Sequence, residues 1–129
     1  MKQTAEKATP KRIFSYETLE KRFIEGVMKT VDVDYGSPAS VRRHNRGVDT
    51  YRKAAADIGT YHPYEIPRFA ALLTHEHLKL RICAAVCLAE LMPSSPDVRE
   101  AALNEIKRLR DESDGHERMG WDRWLERHG

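Results

Sequence analysis

Long hydrophobic runs are missing from this chain of 129 residues. The longest, Ile82 to Ala89, falls far short of the roughly 20 residues that a membrane-spanning helix needs. The opening "MKQTAEKATPKRIF" is basic and polar, with no apolar segment behind it that would read as a secretory signal. Cysteine is scarce as well. Two residues without an export signal argue for reduced thiols in the cytoplasm rather than a disulfide framework. No charge sign dominates, since 22 Lys and Arg against 20 Asp and Glu leave a net charge of +2. That is too little to indicate a nucleic-acid or membrane partner by itself. Signatures of nucleophilic or phosphate chemistry are absent too, with no GxSxG, GxxxxGK(S/T) or GxGxxG. The expectation is a non-enzyme with no cofactor.

What is present suits one small helical domain. Apolar residues make up 40% of the chain and charged residues 33%. Residues 1–14 read as a flexible polar arm, and 15–129 as a single domain. Ser15 is placed to cap a first helix with Leu19, Phe23 and Val27 on one face. "VDVDYGS" ends it as a loop. Ser37-Pro38 pairs an N-cap with proline at N1 and opens a second helix. Its apolar face runs Val41, His44, Val48, Tyr51, Ala55 and Ile58, and Gly59 stands where a C′ residue belongs. Gly47 in mid-helix marks a close crossing. A short third helix spans about 65–73. The fourth, about 77–92, is apolar on nearly every side and so reads as buried. Ser95-Pro96 opens a fifth over about 96–110. Ser113 or Asp114 opens a sixth, carrying Met119, Trp121, Trp124 and Leu125. The prediction is all-α, with six helices in antiparallel pairs.

The stretch "IPRFAALLTHEHLKLRICAAVCLAELMPSSPDVREAALNEI" resembles HEAT or armadillo-type helical repeats. The resemblance is carried by Leu72-Leu73, Leu80-Arg81, Ala84-Ala85 and Leu88. Over residues 37–129 the chain is also similar to small bacterial armadillo-like proteins of unknown function, through Asn45, Asp49 and "WDRWLERHG". Some relatives of that kind belong to toxin–immunity systems. The resemblance implies an α-α superhelix and a protein-binding role of the immunity or accessory kind.

Cys83 and Cys87, with His75 and His77, offer two thiolates and two imidazoles, but not the knuckle spacing of a short zinc module. Among Ala84, Ala85 and Val86, each cysteine reads as a small core hydrophobe, so no metal is expected. "THEHLK" is not HExxH, because Lys79 takes the position of the second histidine. Trp121 and Trp124 read as core closure.

"SVRRHNRGVDTYRK" is the densest basic cluster. Arg42, Arg46, Asp49 and Lys53 step along one helix face, with an Arg46–Asp49 ion pair expected between turns. Arg43 adds to the positive charge. Asn45 is expected nearer the packed side, tied by hydrogen bonds to a neighbouring loop. These six residues are the candidate partner-binding set. The favoured partner is another protein; the alternative is nucleic acid, bound through the basic second helix.

Overall fold

The computed structural model describes residues 12–129, and all regular structure among them is helical. Six helices follow in order: α1 (Tyr16–Met28), α2 (Pro38–Tyr61), α3 (Ile66–Phe69), α4 (Leu78–Glu90), α5 (Pro96–Glu112) and α6 (Gly115–His128). Two 3₁₀ turns, Pro63–Glu65 and Ala70–Thr74, flank the single turn of α3. Residues 1–11 of the expected arm lie outside the described residues. Just beyond them Phe14 packs against the core, and its carbonyl accepts a hydrogen bond from His62 Nε2 at 2.7 Å.

Serines start three of the helices. Ser15, Ser37 and Ser95 have extended backbone, and their hydroxyls accept from the amides of Thr18, Ser40 and Val98. Each satisfies one amide that a helix start leaves without a partner. Asp114 is the N-cap of α6, with no side-chain capping bond. "VDVDYGS" is a turn, with Asp32 at a φ of 60°.

Gly59 does not end α2. The helix runs on to Tyr61, and the His62 amide closes it by donating to the Ile58 carbonyl. Gly59 instead makes room, since a Cβ there would lie 3.2 Å from both the Leu91 carbonyl oxygen and Pro93 Cδ. Gly47 does mark the expected crossing. A Cβ there would sit 2.6 Å from the Gly26 carbonyl oxygen of α1.

Neighbouring helices run antiparallel, as the order of their contacts shows. Between α1 and its end at Phe14 on one side and α2 on the other, Phe14 meets His62, Phe23 meets Tyr51, and Gly26 meets Gly47. Arg81 of α4 reaches Glu105 of α5, while the Ala89 carbonyl accepts from Arg99. Arg99 in turn reaches the His128 carbonyl of α6, while Arg110 reaches Asp122. The core centres on α4, which buries Leu80, Cys83, Ala84, Ala85, Cys87 and Leu88. Phe23, Ile58, Phe69, Ile106 and Trp124 join it from the other helices. No helix among the described residues is long and apolar enough to cross a membrane.

Candidate functional site

One long helix supplies most of the candidate surface. α2 buries Gly47, Ala54, Ala55, Ile58 and Gly59, and half-buries Val41, His44, Val48 and Tyr51. On its outer side Arg42, Arg46, Asp49 and Lys53 are all exposed. At about 1.5 Å per residue this row runs for roughly 16 Å. Arg43 and Asn45 are exposed beside it. All six sequence-predicted residues are therefore accessible, Arg43 and Asn45 on opposite flanks of the row.

Two details differ from expectation. Asn45 is not held against the packed side; its Oδ1 lies 3.3 Å from His44 Nδ1 in an exposed contact. The N-terminal half of α2 buries only Gly47, so the packed face is narrow there and position 45 falls outside it. The Arg46–Asp49 ion pair is also not among those formed by the described residues. Lys53 pairs with Asp57 instead, at 3.4 Å, one turn further on.

Lys53 stands at the lip of a groove of about 350 Å³ between α1, α2 and residues 12–14. Phe14, Leu19 and Ala54 line it, with Ile13 58% and Tyr61 38% exposed along its sides. Arg12 and Arg22 share the lip, their guanidinium carbons 5.2 and 4.0 Å from the Phe14 ring centroid. The electron-rich ring face attracts both cations and gathers positive charge beside the apolar floor. Helix periodicity alone does not reveal this groove. A signal was available, since Phe14 and Leu19 occupy the N′ and N4 positions of a hydrophobic staple around the Ser15 cap.

A second cluster, also unread, joins four helices. Glu90 accepts from Arg52 Nη2 at 2.9 Å and from Trp124 Nε1 at 2.6 Å, with His128 Nε2 3.8 Å away. Arg99 adds bonds to the carbonyls of Ala89 and His128. Burial alone would raise the Glu90 pKa, but the hydrogen bonds from Trp124 and Arg52 outweigh it and hold the carboxyl below its ordinary range. Both oxygens are engaged by donors, an arrangement suited to joining helices rather than to moving protons.

Cys83 and Cys87 are 4% and 0% exposed, and burial pushes both thiols up, away from the reactive thiolate. His75 and Glu76 are exposed in the turn before α4, where the His77 amide donates to His75 Nδ1 at 3.0 Å. Among the described residues no group of three or more His, Cys, Asp or Glu is placed to hold a metal. Trp124 is buried and Trp121 half-buried, their rings edge to face at 6.4 Å. No family model, curated protein or solved structure matches the chain.

Proposed function

We propose that this chain is a non-catalytic binding module that engages an acidic partner protein through the outer face of α2. The observation that carries the reading is the row Arg42, Arg46, Asp49, Lys53, exposed along a helix whose opposite side is fixed in the core. A helix held in this way presents its charges with little further ordering cost on binding. Positive charge on such a face speeds encounter and selects among partners. Asp49 within the row and Asp57 beside it favour an acidic protein segment, whose carboxylates are interspersed with uncharged side chains, over a phosphate backbone of unbroken negative charge. In the same reading the antiparallel helices form an armadillo- or HEAT-like stack, and the module serves as an immunity or accessory protein in the cytoplasm.

The test is the double variant Arg42→Glu/Arg46→Glu. Its helical circular-dichroism signal and melting temperature are expected to match the parent, while capture of an acidic protein from the native host is lost. Undiminished capture would move the surface elsewhere, to the Trp121–Trp124 end first. Tight binding of a DNA or RNA oligomer, weakening linearly on a log–log salt plot, would replace the protein partner with nucleic acid.

A further inference from the structure

We infer that the groove between α1 and α2 is an anchor pocket for one large apolar side chain of the acidic segment that lies along α2. The inference rests on the reading above and adds what the segment must carry. An acidic peptide without an apolar residue would satisfy the arginine row and leave the groove open. A partner that fills both needs an apolar side chain flanked by carboxylates.

Charge and shape make the case together. The floor is apolar, built from Phe14, Leu19 and Ala54, and Ile13 is left 58% exposed at its edge. Among the described residues the lip carries Arg12, Arg22 and Lys53 against the one carboxylate of Asp57, which Lys53 already pairs with. A Lys or Arg side chain entering here meets the like charges of Arg12, Arg22 and Lys53, and the one carboxylate beside them, Asp57, is already paired with Lys53. An apolar side chain displaces water from the floor, and acidic neighbours on either side of it meet the guanidinium groups.

Continuity ties the groove to the row. Lys53 belongs to both, and Thr50, Ala54 and Asp57 continue the same helix into the groove. The occupant is a chain segment rather than a small molecule, because a roughly 16 Å row needs about five residues of extended polypeptide to cover it. The groove volume of about 350 Å³ lies at the small end of ligand pockets, which suits a single anchoring side chain. Side chains seated in such pockets commonly dominate the affinity of an interface, and the charges around them set selectivity.

Three synthetic acidic peptides, identical except for a central Leu, Ser or Lys, provide the test. Each is titrated into the full chain, with fluorescence anisotropy for affinity and amide and methyl NMR shifts for location. The Leu peptide is expected to bind roughly tenfold tighter than the Ser peptide, with the Lys peptide weakest. Shifts unique to the Leu peptide should appear at Leu19, Thr50 and Ala54. Thr50→Phe, which fills the groove from the α2 side, should make the Leu and Ser peptides bind equally. If that variant does not fold, the shift map of the parent chain decides alone. Equal affinities for Leu and Ser, with shifts confined to the Arg42–Lys53 row, would overturn the anchor pocket and leave the acidic-partner reading standing. No shift at Arg42, Arg46 or Lys53 with any peptide would overturn both. Preference for an RNA or DNA oligomer over all three peptides would overturn the partner class.

Discussion

At the scale of single residues, the central helix makes the sharpest demands. Leu88 has no exposed surface and shares its helix with Ala84, Ala85 and Cys87, which are also fully buried. Removing its side chain would take away both the transfer free energy and the contacts that surround it. Leu88→Ala is expected to cost about 2–5 kcal/mol in urea unfolding, the range for a buried leucine. A domain of this kind has only about 5–15 kcal/mol in total. A loss under about 1 kcal/mol would mean that the site is far looser than its burial indicates. Cys83 and Cys87 lie on the same helix, in surroundings that keep a thiol protonated and covered. Thiol titration of the native chain should therefore label neither quickly, and both should become reactive only on denaturation. Rapid native labelling would place α4 at the surface.

At the scale of elements, two glycines in helix interiors should respond to alanine with opposite sign. Gly120 of α6 has nothing within 4 Å of a built Cβ, so Gly120→Ala should gain about 0.5–1 kcal/mol from helix propensity alone. Gly47→Ala would place its methyl 2.6 Å from the Gly26 carbonyl oxygen and 2.9 Å from Lys29 Cβ. Backbone cannot move aside as a flexible side chain can, so overpacking of about 1–3 kcal/mol should outweigh the same propensity gain. Thermal unfolding of the two variants side by side measures the difference, and a stabilised Gly47→Ala would deny the α1–α2 crossing. The crossing was legible in the sequence because a glycine in a long amphipathic helix needs a reason. The caps at Ser15, Ser37 and Ser95 were legible for a similar reason, as local chemistry that acts within three residues. Gly59 was misread because a glycine near a helix end fits two roles. Only the approach of Leu91 and Pro93, more than thirty residues away in sequence, separates them. Asn45 was misplaced because the N-terminal half of α2 buries only Gly47, and spacing within α2 alone does not show how narrow the packed face is there.

At the scale of the whole molecule, contacts distant in sequence decide what periodicity leaves open. The exposed row on α2 followed from its own spacing, but the groove beside it needed α1 and residues 12–14 to fold back. The Glu90 cluster needed even more, since Arg52 and Trp124 lie 38 and 34 residues away on either side. That cluster joins α2 and α6 to the central helix, and it gives the fold a dependence on pH. With its pKa held below the ordinary carboxylate range, Glu90 binds fewer protons in the folded state than in the unfolded one. Its contribution is fully present above the unfolded value of roughly 4.3. It is lost as pH falls through the lower folded value, when the protonated carboxyl no longer pairs with Arg52. Glu90→Gln keeps an acceptor for Trp124 Nε1 but removes the charge facing Arg52 and His128. The variant should be less stable than the parent near neutral pH, and the gap should narrow as both are acidified below the ordinary carboxylate range. Urea unfolding followed by tryptophan emission at several pH values measures this, because Trp124 reports on the joint itself. A gap that stays constant down to strongly acid pH would show that the Glu90 charge contributes nothing to holding α6 in place.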